Sequence, residues 1–336
     1  MAEPAIRERF AALDGLRGIA ALAVLLYHLH SMFGMRWIFS HGYLAVDFFF
    51  MLSGFVLAHA YEARLRTRGS FLPFLRDRII RLHPLLLLSI VPGAVMLIAG
   101  APQYRFPLLT LAAAASPFPA FWEGLQKFPL NQPSWSLFWE LAVNIAFALA
   151  APWLRSRVLG AVIAIAVTGA IWLSLSRGGF VIVDMRAGMR ALAGFAIGVM
   201  LLRVHRAGRF RADRLGAAAA PLLLASLALV PALPWLVRIY DPVAVFLLFP
   251  LIVLASAGRT PRFPAAARWL GELSYPLYVL HGPVLSLTRD PLNGVFGNPA
   301  ITGLVQLTLS IALTWAAWRL YDAPLRAALR RRFGSG

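Results

Sequence analysis

About ten apolar runs, each of roughly 16 to 22 residues and each bounded by charge, proline or glycine, divide the chain almost from end to end. A helix rises about 1.5 Å per residue, so runs of this length cross, or nearly cross, a hydrocarbon layer about 30 Å thick. They lie at roughly 15–35, 42–61, 83–100, 134–154, 158–176, 188–204, 215–233, 242–257, 269–287 and 300–320. The pattern predicts an all-α integral membrane protein, a bundle of about ten transmembrane helices. Two places break the regularity. Pro250 interrupts the short eighth run, and Pro102, Pro107, Pro117, Pro119 and Pro129 give the 101–133 segment room for a re-entrant piece.

Charge sets the expected orientation. Only 14% of the 336 residues are charged, against roughly 25% in a soluble domain. The formal charge is +18, yet the basic residues sit between apolar runs rather than on a water-facing surface with stacking groups, so no nucleic-acid partner is read from it. With the N-terminus inside, about 24 of the 32 Lys and Arg fall at the inner face and about 8 outside, which predicts both termini in the cytoplasm. The start, MAEPAIRERF, carries acids as well as arginines and no clear cleavage site follows, so the first span is expected to be retained. The basic segment 203–214 reads as a topology determinant touching anionic lipid headgroups. Cysteine is absent, which excludes disulfides, thiolate metal sites and an acyl-cysteine intermediate. A single membrane-embedded domain over 1–336 is expected, with no appended soluble domain.

Within this apolar background, Leu13 to His30 (LDGLRGIAALAVLLYHLH) holds an acid, an arginine and two histidines. The eleven steps from Arg17 to His28 amount to about 16 Å and almost three turns, so the two side chains share a helix face, and Asp14 lies within about 40° of it. Ionisable groups inside a span face a bundle interior or a wet cavity, so the seam is expected to line a site. His30 is turned about 200° from His28 and falls off the seam. Arg78 and Arg81, three apart at the start of the third run, are helix neighbours able to grip a phosphate.

Counted inward from the outer end of each run, His28, Asp47, Glu140 and His281 reach similar depths, roughly 8 to 10 Å. The expectation is one layer holding two histidines and two carboxylates. A histidine near its unperturbed pKa of about 6.5, oriented by a carboxylate, suits removal of a proton from a hydroxyl. Ser53 is a weaker nucleophile candidate, since a small residue beside Gly54 more often marks close helix packing. No pair of ligands shows metal spacing on one helix, so no metal is read.

These residues make the chain resemble the acyltransferase 3 family of bacterial integral-membrane O-acyltransferases. The resemblance rests on LDGLRGIAALAVLLYHLH with Arg17 and His28, GYLAVDFFFMLSGF with Asp47, RDRIIRLHPL with Arg78 and Arg81, PSWSLFWE with Glu140, RALAGFAIG with Arg190, and LGELSYPLYVLH with His281. His83 and Asp322 depart from the family's usual residues, and no role is carried onto them. The resemblance implies transfer of an acyl group, often acetyl, from cytoplasmic acyl-CoA to a hydroxyl of a carbohydrate or lipid-linked glycan beyond the membrane. It also implies that the Arg17 to His28 motif is catalytic and that Arg78 and Arg81 matter to function. Localisation to the bacterial inner membrane follows from the same resemblance.

The residues and the resemblance together predict a two-level site with no bound cofactor and acyl-CoA as co-substrate. Arg17, Arg78 and Arg81 hold the nucleotide phosphates at the inner mouth; His28 acts as base, with Asp47 or Glu140 as its partner. His281, Arg190 and Asp14 are secondary polar candidates. Direct transfer and an acyl-histidine relay both remain open. The competing reading is a transporter or flippase using the same buried seam, with His28 as a proton relay.

Overall fold

The computed structural model describes residues 10–34, 38–67, 70–101, 106–116, 118–120, 128–177, 180, 185–208, 213–231 and 233–333. Arg7 and Arg9, much of the proline-rich segment, residues 209–212 of the basic segment and the last three residues lie outside that set. The described residues form helices and no strands: α1 (Ala11–Leu29), α2 (Ala45–Leu65), α3 (Phe71–Ile98), α4 (Leu109–Ala115), α5 (Ser134–Ala150), α6 (Ser156–Arg177), α7 (Gly188–Arg206), α8 (Asp213–Ala228), α9 (Pro234–Val243), α10 (Phe249–Ser256), α11 (Pro264–Phe296), α12 (Pro299–Ala317) and α13 (Ala323–Phe333). One π-helical turn, Ala244–Leu248, joins α9 to α10, and another, Trp318–Asp322, joins α12 to α13.

Seven of these stretches are long and apolar enough to cross a membrane, which makes the protein a multi-pass membrane protein. They are Ala11–Leu29, Gly42–Leu65, Phe71–Ile98, Ser156–Ser176, Gly188–Arg206, Trp235–Ser256 and Pro299–Phe333. Helices α5 and α8 are apolar but have 17 and 16 residues, and α11 runs for 33 residues. The third helix begins twelve residues before the apolar run that starts at 83, so RDRIIRLHP lies inside α3 as the helix-neighbour reading of Arg78 and Arg81 requires, and Pro84 does not break it. A proline removes one backbone donor and frees one carbonyl, and packed neighbours accommodate both within a bundle.

Helix α1 is enclosed by α11, α2 and α8, while α2 packs chiefly on α7. The α2 to α7 contact is a backbone contact. A Cβ on Gly54 would stand 2.0 Å from the Phe195 carbonyl oxygen, and one on Gly198 would stand 2.0 Å from that of Met51. Small residues let membrane helices approach this closely, and dispersion across such a seam replaces the hydrophobic drive that lipid does not supply. The close-packing reading of Gly54 is what the structure has. On the other side, α11 packs on α1, α3 and α12, and so stands between the first helix and the arginine-bearing third.

Candidate active site

Helices α1 and α11 bring His28 and His281 together, with ring centroids 5.1 Å apart and planes inclined by 34°. Both line a cavity of about 310 Å³ with Asn131, Gln132, Ser286, Arg289 and Gln306. His28 is exposed in it, whereas His281 is 1% exposed. The His281 Nδ1–H donates to the Leu277 carbonyl at 3.1 Å, so the neutral ring presents Nε2 as an acceptor, and this nitrogen is buried without a protein partner. A hydrogen bond to one ring nitrogen fixes the tautomer and therefore the job of the other.

Asn131 is set by equally local causes. Pro283 has no N–H to give to the carbonyl four residues before it, so the Val279 oxygen leaves the α11 ladder and accepts from Asn131 Nδ2 at 3.0 Å. The same Nδ2 donates to Ser89 Oγ at 2.8 Å, and Ser89 gives its own hydrogen to the Leu86 carbonyl. Two acceptors thus claim the amide nitrogen, and Oδ1 is left buried and unpaired at the cavity. Gly282 makes the approach possible: a Cβ there would lie 2.9 Å from Pro133 Cγ and 3.3 Å from Asn131 Oδ1. The cavity accordingly offers two fixed acceptors, Asn131 Oδ1 and His281 Nε2, suited to hydroxyl donors.

A second cavity, about 130 Å³, is lined by Arg17, Arg78, Arg81, Glu140, Ser53, Tyr275 and Tyr278 among others. Arg78 lies over the Tyr61 ring at 5.6 Å and Arg81 over the Tyr275 ring at 5.8 Å. The tyrosines are held in turn, Tyr61 donating to Asp77 at 2.9 Å and Tyr275 to the Leu82 carbonyl at 2.5 Å. Neither arginine has a carboxylate within ion-pair distance among the described residues, and stacking on a ring leaves the edge donors of a guanidinium available. Arg17 is anchored to Asp14 at 2.8 Å, to Ser274 Oγ at 2.9 Å and to the Gly271 carbonyl at 2.9 Å, which ties α1 to α11 at this level. Ser53 donates to Glu140 at 3.3 Å, which places that carboxyl group beside the arginines.

A thin wall separates the two cavities. Ser136 donates to the Pro133 carbonyl at 3.1 Å and accepts from the Tyr278 hydroxyl at 2.5 Å. Pro133 lines the histidine cavity and Ser136 the arginine cavity, while the Tyr278 ring, on the arginine side, lies 5.9 Å from the His281 ring.

The structure joins His28 with His281 and Arg17 with Arg78, Arg81 and Glu140, but the expected single layer of His28, Asp47, Glu140 and His281 separates into three settings. Asp47, fully buried, is held by Arg190 through Nε at 3.0 Å and through Nη2, and Arg190 also donates to the Phe180 carbonyl. Glu140 meets Ser53, six residues or about 9 Å farther along α2 than Asp47, so the two carboxylates differ in level as well as in azimuth, neither of which counting inward from a span end resolves. His30 bonds back to the Tyr27 carbonyl. Asn131, Tyr278, Ser136 and Arg289 carry much of the geometry and had no sequence signal beyond polarity near a span. A cluster of buried His41 and Asp241 with half-buried Tyr43 was also unread; His41 and Tyr43 donate to Asp241 at 2.9 and 2.6 Å.

The acyltransferase domain of the acyltransferase 3 family matches residues 10–319. Protein 2 in the picA locus of Rhizobium radiobacter is 40% identical over 161 residues, covering 42% of this chain and 82% of that protein. The acyltransferase MdmB of Streptomyces mycarofaciens is 31% identical over 159 residues, covering 42% of this chain and 39% of its own. The peptidoglycan O-acetyltransferase OatA of Listeria monocytogenes is 24% identical over 375 aligned positions, covering 95% of this chain and 56% of its own. No solved structure matches. A family match over nearly the whole chain, on a bundle that pairs an arginine cavity with a histidine cavity, establishes that this protein belongs to the acyltransferase 3 family and is a membrane acyltransferase.

Proposed function

We propose that the protein is an O-acyltransferase of the bacterial inner membrane that moves an acyl group, acetyl in our reading, from cytoplasmic acyl-CoA to a hydroxyl of an extracytoplasmic carbohydrate or glycan. The observation that carries this reading is the pair of cavities back to back, one lined by arginines and one by histidines, with Ser136 and Tyr278 between them. The name of OatA, a peptidoglycan O-acetyltransferase aligned with 95% of this chain, supports a glycan acceptor. In this reading α5, α8 and α11 cross the membrane beside the seven membrane-length stretches, ten crossings in all, and the surplus of basic residues supports taking the arginine cavity and both termini as cytoplasmic.

In this mechanism Arg78 and Arg81 hold the phosphates of CoA by charge-assisted hydrogen bonds, with Arg17 adding charge from its fixed seat on α11. The pantetheine arm extends toward Tyr278 and brings the thioester to the wall. An acceptor hydroxyl enters the histidine cavity and gives its proton to His28, whose ring is placed by contact with His281. The hydroxyl oxygen forms a bond to the thioester carbonyl carbon. The tetrahedral intermediate then breaks its C–S bond, and the proton held on His28 passes to the departing thiolate, giving free CoA and a neutral His28 for the next turnover.

Oriented proteoliposomes test this directly. With acetyl-CoA on the cytoplasmic face and a hydroxylated glycan on the other, free CoA is expected inside and acetylated glycan outside, each in equal amount. Arg78→Ala or Arg81→Ala is expected to weaken acetyl-CoA binding about ten- to a hundredfold, the range of one lost hydrogen bond to a charged group. Intact acetyl-CoA crossing the membrane, or a polar solute moving without CoA release, would sink the reading.

A further inference from the structure

The histidine cavity contains one full charge. Arg289 lines it on α11, eight residues beyond His281, which is about 12 Å along the helix and about 80° around it. A helical side chain leans toward the N-terminus, so the guanidinium reaches back toward the imidazoles rather than away from them. No carboxylate lines the cavity, and Arg289 has no ion-pair partner among the described residues; Asp290, the nearest acid in sequence, is not part of the lining. The turn that bears Arg289 is braced: Gln306 Nε2 donates to the Leu285 carbonyl at 2.9 Å and to Thr288 Oγ1 at 3.0 Å, and Thr288 donates to the Val284 carbonyl at 2.7 Å. An exposed cation carried on a braced turn at the rim of a cavity otherwise furnished with two neutral, buried acceptors awaits an anionic group on whatever enters.

Building on the function proposed above, we infer that the acceptor is an acidic glycan: Arg289 binds a carboxylate or phosphate on the same or an adjacent sugar as the hydroxyl to be acylated. Asn131 Oδ1 and His281 Nε2 accept hydrogen bonds from hydroxyls, and Arg289 supplies the discrimination between acidic and neutral chains. The arginine cavity cannot serve this role, since its cations lie behind Tyr278.

The test is equilibrium binding of oligosaccharides to the full-length protein in detergent, without acyl donor, so that it is read independently of whether transfer occurs. The probes are a glucuronate-containing tetrasaccharide, its carboxyl-reduced counterpart of the same linkage, and the reduced chain bearing a phosphate ester. The uronate or the phosphate form is expected to bind ten- to a hundredfold more tightly than the neutral chain, and the tighter of the two names the acid. Arg289→Ala should erase that preference, Arg289→Lys should restore part of it, and Arg238→Ala, an exposed arginine on α9, should leave it intact. Equal binding of all three probes, a preference that survives Arg289→Ala, or an equal loss in Arg238→Ala would overturn the inference. Loss of acetyl transfer with the preference retained would count instead against the function on which it rests.

Discussion

His28 and His281 meet ring to ring across the α1 to α11 interface, and only His281 has its tautomer fixed by a backbone carbonyl. The division leaves one imidazole open to the cavity and the other locked behind it. His28→Ala is expected to lower kcat by about 10²- to 10⁴-fold with acetyl-CoA binding unchanged, as for loss of a positioned base. His281→Ala should cost a comparable factor, and the double variant less than the product of the two, since side chains in contact do not act additively. Steady-state kinetics on the four proteins decide this; full multiplication of the effects would mean the two rings act separately.

Asp47 provides a contrasting case. Its carboxylate and Arg190 are both buried, and removing one member of such a pair costs about 3–5 kcal/mol. Asp47→Ala should therefore lower thermal stability in detergent and abundance in the membrane. An unchanged melting temperature together with lost activity would restore Asp47 to the reaction itself.

Gly282→Ala inserts a methyl group 2.9 Å from Pro133, at the point where the chain before α5 crosses α11. Displacing Asn131 is expected to raise KM for the acceptor while acetyl-CoA affinity stays the same. The measurement is a pair of saturation curves; equal damage to both substrates would point to general misfolding.

Tyr278→Ala removes most of the wall between the cavities. Water should then reach the thioester, and the ratio of CoA released to glycan acylated should rise well above one. Tyr278→Phe keeps the ring and loses one hydrogen bond, worth about 1 kcal/mol, so its ratio should stay near one.

Topology is open to a simple check. Reporters fused after Phe39 and Gly297 are expected to read outside, and those after Gly69, Gly208 and Gly336 inside. An outside reading at Gly69, which precedes the arginines of α3, would invert the assignment of the two cavities to the two faces.

The helical membrane bundle was legible in the spacing of apolar runs, and the grouping of Arg17 with the third-helix arginines came from the polar seam together with the family resemblance. Azimuth was not legible. Asp47 faces Arg190 on α7, whereas Glu140 meets Ser53, about 9 Å farther along α2, in the arginine cavity; both the rotation about a helix and the level of a span end depend on tertiary packing. Asn131 was hidden for another reason: its orientation depends on a carbonyl freed by Pro283, far away in sequence, and no local pattern announces such a partnership.

The wall formed by Ser136 and Tyr278 has an electrical consequence. A continuous polar passage from one face of a bilayer to the other would conduct ions and discharge the potential across it, about 2.3 kcal/mol per elementary charge per 100 mV. Two cavities ending on either side of a tyrosine avoid that short circuit. In the proposed reaction only the neutral acyl carbonyl has to pass this point, while the phosphates remain with the arginines. The membrane can then export a chemical group continuously without being drained by the protein that exports it.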